Sequence, residues 1–462
     1  MILDIIVAII AMLFYITFIF VTRRNNTFSS YSVAERKIGF WLLFASMSAN
    51  YIGPGMTIGL ADKGASTGYF TFAVAIFYGI GKMFEGHFFA PAIRKKFNNA
   101  YTLGDIIGGV NSHNSNIVRF IAGLISFGLV VGLTTVMAKA AGDILYAFLG
   151  VPKIIGTVII TTIVMGYSVF GGIKSSMQTD LIQFILFVAL IPLLLLLSIL
   201  NFGVTNEAFI QQSIDLSSSS FSSIKNIDLI ALMVTWFFGE MLIPPTISTI
   251  LSSQSVATSR KALVSSGLFM IAWLFIMLSL GVVANLTLES NSIGEATLLN
   301  IAAINYPPGL YGLFAVALVG VVMSSQDCLI NGASVIFSQD LIHPIKQVPE
   351  EKRLFWSRIS GIAVGVLAIL FASFIPSVIE SLLFFYSIWV PSILVVAIIS
   401  IYGKKHKWYA AFGAMIFGIS TSIIWNITVL HDSFPTIVAG ILISGLSYLC
   451  LSIIPFKHFI GK

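Results

Sequence analysis

Thirteen runs of apolar residues, each long enough to cross a lipid bilayer, follow one another along the 462-residue chain. They sit near 3–22, 38–61, 68–93, 118–149, 153–172, 177–201, 227–250, 262–288, 309–340, 354–374, 376–401, 408–430 and 434–455. A helical crossing needs ~20 apolar residues, and a helix satisfies its own backbone hydrogen bonds where no water can. A membrane β-barrel would show alternating segments of ~10 residues instead, a pattern this sequence lacks. The expected fold class is therefore an all-α membrane protein with 13 transmembrane helices. The composition agrees: 57% of residues are hydrophobic, 10% are charged, and mean hydropathy is +0.97, whereas a soluble domain carries about 25% charge. A water-soluble enzyme and a nucleic-acid binder are excluded, and the expected surroundings are the lipid bilayer. The longest polar stretches, 94–117 and 202–226, read as loops.

Cys328 and Cys450 both lie in apolar segments, so a disulfide framework is not expected. No two of the six histidines stand three or four positions apart, and no structural metal site is suggested. The first span has no positive residues before it; Arg23 and Arg24 follow it, which reads as a retained span rather than a cleaved leader.

The basic residues orient the spans. With the N-terminus outside, 20 of the 25 lysines and arginines fall in cytoplasmic segments, among them Arg23, Arg24, Arg94, Lys95, Lys96, Lys404, Lys405, Lys407, Lys457 and Lys462. Outside loops hold Lys63, Lys153 and Lys225, while Lys82 and Lys139 lie within spans. An error of one span would scramble every later loop, so the bias supports the count, an outside N-terminus and a cytoplasmic C-terminus.

Two spans carry breaks. Span 2 has Gly53-Pro54-Gly55 near its middle, and span 7 has Gly239-Glu240 followed by Pro244-Pro245. Proline removes a backbone donor, and freed carbonyls in hydrocarbon need partners, so such breaks line cavities or bind ions. A simple proline kink is the competing reading. The two breaks lie five spans apart, an odd offset that reverses the crossing direction. Paired interruptions in inverted halves point to the binding site of a secondary transporter. Span 9 offers oxygen ligands for a hard cation: adjacent hydroxyls on Ser324 and Ser325, then Asp327 and Asn331. Serines packing against a neighbouring helix are the alternative; an intramembrane carboxylate such as Asp327 favours function.

Three stretches make the chain resemble the sodium:solute symporter family. They are Gly171-Gly172-Ile173-Lys174 through Thr179-Asp180, the span 2 stretch ANYIGPGMTIGLADKGASTGY, and VMSSQDCLINGASVIFSQD in span 9. The resemblance covers about residues 35–345. It implies a LeuT-like inverted repeat of 5+5 core helices with one leading and two trailing helices. The corresponding segments are 1–37 (leading helix and loop), 38–201 (first repeat), 202–401 (second repeat) and 402–462 (trailing helices). It also implies a sodium site on the carbonyls of Ala49, Ile52 and Val321 and the hydroxyls of Ser324 and Ser325, with Val321 replacing the usual alanine. A second sodium site or release path falls on Asp180, Asp327 and Cys328. Lys174, Thr179 and Asp180 would lie at the cytoplasmic mouth, as an interfacial pair or as an aid to sodium release.

The expected function is sodium-coupled symport of a small organic solute by alternating access, spans 2, 3, 7 and 8 rocking against 4, 5, 9 and 10. No enzymatic chemistry and no cofactor beyond the sodium ion are expected. The solute is placed near Tyr51, Gly53, Gly55, Met56, Trp236, Phe237 and Glu240. Met56 stands where sugar-transporting relatives carry a polar side chain. Aromatic faces with a carboxylate suit an ammonium group, and the stretch from Ile250 to Leu263 resembles choline- and proline-transporting members. An amine or zwitterion such as proline or choline leads. An organic anion, such as a carboxylate or sialic acid, or a solute sensor without transport are the alternatives. Packing aromatics at Trp236 and Phe237, and a structural pair of Glu240 with Lys82 or Lys139, are the bland readings.

Overall fold

The computed structural model describes residues 2–22, 27–110, 114–289, 292–294, 296–403, 407–428 and 434–454. Arg23, Arg24, Lys404, Lys405, Lys457 and Lys462, part of the orientation argument, lie outside the described residues. The main helices are α1 (Ile2–Thr22), α2 (Phe40–Tyr51), α3 (Leu60–Thr67), α4 (Phe70–Phe84), α5 (Ser115–Leu149), α6 (Lys153–Asn201), α7 (Asn206–Ser223) and α8 (Asn226–Phe238). They continue with α9 (Pro244–Ser252), α10 (Val256–Thr287), α11 (Leu310–Ile336), α12 (Glu350–Phe371), α13 (Val378–Trp389), α14 (Val395–Tyr402), α15 (Trp408–Ile427) and α16 (Thr436–Ile453). The described residues form no sheet; one isolated bridge joins Ile38 to Ser253.

Among the described residues, eight helices are by themselves long and apolar enough to cross a membrane, or nine if α7 and α8, bent by 111° at their junction, count as one. This is fewer than thirteen because several expected spans are not single helices. Span 2 is split into α2 and α3 by a non-helical step and a π-helical turn at Gly55–Gly59, and span 7 into α8 and α9. Expected spans 5 and 6 run together as the 49 residues of α6. At 1.5 Å per residue that is about 73 Å, over twice a bilayer core. Gly172 interrupts it with φ 62° and ψ −175°, a backbone region essentially reserved for glycine.

The polar stretch 202–226, expected as a loop, contains α7. Thr205 caps its start by accepting the Ala208 amide at 3.2 Å. Its serines turn their hydroxyls back onto carbonyls three and four residues earlier, as Ser219 does on Leu216 and Ser217 on Ser213.

The segment Leu310–Lys346 is the most enclosed, with 89% of its apolar window buried, against 33% for α16. It packs on α5, α6 and α2. Asp4 of α1 caps its start, accepting the amides of Gly309 and Gly312 at 2.7 and 3.1 Å. On another side α10 lies against α3 and α4 in direct backbone contact: a side chain at Gly267 would strike the Gly79 carbonyl, and one at Gly281 the Ala61 carbonyl. The start of α2 and the end of α9 are tied together through Ile38, whose amide donates to Ser252 O at 3.0 Å and whose carbonyl accepts from Gln254 at 2.9 Å. The two broken helices therefore meet at one end.

Candidate functional site

A proline four residues after a carbonyl cannot supply the amide that carbonyl would accept in a helix. In span 2 that carbonyl is Asn50, four residues before Pro54. The helix ends at Tyr51, Ile52 leaves helical geometry, and the Met56 amide turns to Gly53 O at 2.9 Å. Two freed carbonyls face the middle of α11. Ser324 Oγ lies 3.4 Å from Ala49 O, and Ser325 Oγ lies 3.3 Å from Asn50 O. Both hydroxyls also reach Val321 O, at 3.1 and 3.2 Å. Gly53 permits the approach, since a β-carbon there would stand 2.6 Å from Ser325 Oγ.

Ala49, Val321, Ser324 and Ser325 of the expected ion-binding set are thus brought together. The Ile52 carbonyl, at the end of the same helix as Ala49, accepts the Thr57 hydroxyl at 2.6 Å, and the carbonyl of Asn50 adds an oxygen beside Ser325 that the expected set did not include. The proline offset is the sequence signal that singles out Asn50. Five uncharged oxygens meet here, spaced 3.1–3.4 Å along the measured pairs. The donor set, all uncharged oxygens, is one a hard cation such as sodium accepts.

The second break spans Gly239–Ile243, between α8 and α9. Leu242 there has φ 59°, a left-handed conformation costly for a branched side chain. The Glu240 carboxylate is held from two sides, by the hydroxyls of Tyr78 on α4 and Tyr386 on α13. Lys82 does not take the carboxylate; it donates to the backbone carbonyl of Glu240 at 2.6 Å. Lys139 pairs with Asp143.

Between the two breaks lies a cavity lined by Tyr51, Gly53, Gly55, Met56 and Glu240 of the expected solute site, together with Asn50, Thr246, Thr249, Ser325, Cys328 and Tyr386. Trp236 and Phe237 are not in its wall. Trp236 packs edge-on to Tyr78 at 6.3 Å between ring centroids, and Phe237 packs against Phe84 and Phe238. A continuous helix would put Trp236 and Glu240 on one face; here α8 ends at Phe238, and both residues meet Tyr78, Trp236 by ring packing and Glu240 through its carboxylate. The aromatic faces in the cavity belong to Tyr51 and Tyr386. Thr246 and Thr249, after Pro-Pro, are legible as a polar stripe; nothing in the sequence singles out Tyr386.

A second polar cavity shares Asn50, Pro245, Thr249 and Cys328 with the first and adds Ser46, Ser176, Asp180 and Asn331. Asp180 accepts from Ser46 Oγ at 2.5 Å, and the Asn50 side-chain Nδ2 donates to Ser46 Oγ at 3.5 Å. A polar seam thus leads from the broken helix to Asp180. Asp327 is fully buried but outside both walls, bonded to the Tyr167 hydroxyl at 2.9 Å. Of the expected second site, Asp180 and Cys328 share one cavity and Asp327 stands behind it.

Two broken helices whose bared carbonyls and neighbouring hydroxyls flank a buried cavity define a secondary transporter. A model of the sodium:solute symporter family matches residues 31–418, and the chain belongs to that family. It is similar to the high-affinity proline transporter PutP of Bacillus subtilis (strain 168), 22% identical over 455 residues covering 94% of each protein. A sodium/proline symporter of Escherichia coli (strain K12) is 22% identical over 448 residues, covering 87% of this chain and 84% of that protein. Among solved structures, the substrate-bound outward-open state of a Na+-coupled sialic acid symporter superimposes with a TM-score of 0.82 at 16% identity over 97% of both chains. The protein is a multi-pass membrane transporter that couples solute movement to sodium, and not an enzyme.

Proposed function

We propose that this chain carries a small amine or zwitterion, with proline as the leading candidate, into the cell together with sodium by alternating access. The observation that carries the solute class is the charge of the cavity. Glu240 is the one charged side chain among the described residues in its wall, and no lysine or arginine lines it. A solute bearing an ammonium group finds a carboxylate and the ring of Tyr386, whereas an anion with no ammonium group would meet the Glu240 carboxylate and no basic partner. The two proline-transporting relatives favour the same class.

Sodium would be held by the carbonyls of Ala49, Asn50 and Val321 with the hydroxyls of Ser324 and Ser325. It would bridge a moving helix pair, α2–α3, to α11 of a more fixed set, so that its binding favours the arrangement in which the solute site is assembled. Asp180 would draw the ion onward along the seam from Asn50. The reading retains thirteen spans in two inverted repeats of five, with the N-terminus outside. Each inward sodium then gains about 2.3 kcal/mol per 100 mV, enough for roughly 50-fold accumulation per ion.

The test is uptake into proteoliposomes holding the full chain under an inward sodium gradient, offering L-proline, choline and N-acetylneuraminate separately. Sodium-dependent uptake of proline or choline supports the reading; uptake of the acid alone overturns the solute class.

A further inference from the structure

The second break is closed by an ion pair from a neighbouring helix. Glu240 stands four residues before Pro244, which has no N–H, so its carbonyl is stripped of its helical donor as Asn50's is by Pro54. Leu242 is deprived in the opposite sense. The Phe238 carbonyl that a helix would offer its amide is taken by Met241 at 3.0 Å. In hydrocarbon each orphan needs a partner.

Both partners come from one face of α4 and the π-helical turn after it. Lys82 Nζ donates to Glu240 O at 2.6 Å, and Glu85 Oε1 accepts the Leu242 amide at 2.9 Å. The two side chains pair with each other at 3.2 Å and are 2% and 0% exposed. Lys82 also lies 4.3 Å from the centre of the Tyr51 ring, which lines the cavity.

We propose that Lys82 and Glu85 are positioning residues that brace the unwound segment Gly239–Ile243: the ammonium fills the bared carbonyl, the carboxylate fills the bared amide, and the brace aims Glu240 into the cavity. Lys82 supplies at the second break, as a built-in cation, what a mobile cation supplies at the first. An ion pair serving only to neutralise charge would have no preferred direction. This brace has one, because a carbonyl must meet the donor and an amide the acceptor. The ion pair also explains how Leu242 is kept left-handed, since its amide is anchored independently of its own helix. The consequence for Glu240 rests on the reading of the cavity as the solute site; the brace itself does not.

The direction is testable in the full chain, purified in lipid nanodiscs, by amide hydrogen exchange of the peptide covering residues 239–243. The exchanged pair Lys82→Glu/Glu85→Lys keeps both charges but places acceptor on carbonyl and donor on amide. It should exchange about tenfold faster there, with peptides of α11 unchanged. Glu85→Leu should do the same, whereas Glu85→Gln and Lys82→Arg, which keep acceptor and donor, should stay near the parent rate. If the exchanged pair does not fold, the contrast between Glu85→Leu and Glu85→Gln decides. Equal rates in those two, or a parent rate in the exchanged pair, overturn the proposal. L-proline uptake is read in parallel: Glu85→Leu should raise KM while Glu85→Gln restores it. A parent chain that takes up no proline would refute the solute assignment and leave the exchange result standing.

Discussion

The hydroxyl of Ser325 stands 3.3 Å from the carbonyl of Asn50, although 275 positions separate them in the chain. Their meeting joins an unwound helix to an intact one and gathers five uncharged oxygens beside the cavity. Removing either hydroxyl leaves bared carbonyls without a partner, a loss of about 1–3 kcal/mol. Ser324→Ala and Ser325→Ala should each raise the sodium concentration for half-maximal uptake by about tenfold or more. Sodium titration of uptake in proteoliposomes checks this, and an unchanged titration in both variants would remove the ion from this place.

Gly53 makes room for that meeting. In Gly53→Ala the new methyl would stand 2.6 Å from Ser325 Oγ, so either the break or the serine must shift. Sodium-dependent uptake should fall at least as far as in Ser325→Ala while membrane insertion is unaffected. Gly128→Ala, where a β-carbon meets nothing within 4 Å, serves as the silent comparison.

The cavity wall divides the aromatic residues of span 7 from Tyr51 and Tyr386, which line the proposed solute site. Glu240→Gln should abolish uptake of a cationic or zwitterionic solute, and Tyr386→Phe should raise its KM. Trp236→Phe and Phe237→Leu, which alter packing against Tyr78 and Phe84, should leave KM within about twofold, since no contact to solute is lost. A KM that moves with Trp236 and not with Tyr386 would invert this assignment.

Gly172 holds φ 62° and ψ −175° inside α6. Gly172→Ala should destabilise the protein by about 1–3 kcal/mol through backbone strain alone, read as a lower thermal unfolding midpoint in detergent. Gly166→Ala, unobstructed in the same helix, should not.

Local rules carried the sequence reading a long way. Apolar runs of bilayer length announced a membrane helix bundle, the proline-interrupted spans 2 and 7 are where no continuous helix forms, and Ser324 and Ser325 face a bared carbonyl. The same proline rule, applied four residues upstream, also marks Asn50 and Glu240 as the stripped carbonyls. Each depends on neighbours along the chain, since a helix satisfies its carbonyls from a fixed offset. Ile52 shows that local side chains count as well as the backbone offset: its carbonyl accepts the hydroxyl of Thr57, five residues on.

What the chain determined by itself, at spans 2 and 7, was which carbonyls lose their helical donor, because that is set by a proline four residues on. What the tertiary structure alone decided was who answers each broken bond. Tyr386 reaches Glu240 from 146 positions away, and Lys82 and Glu85 reach across about as far to cap the second break. Trp236, close in sequence, is turned aside. Those choices follow from which side chains packing brings to an orphaned polar group in hydrocarbon, a relation between helices that no spacing along one of them records.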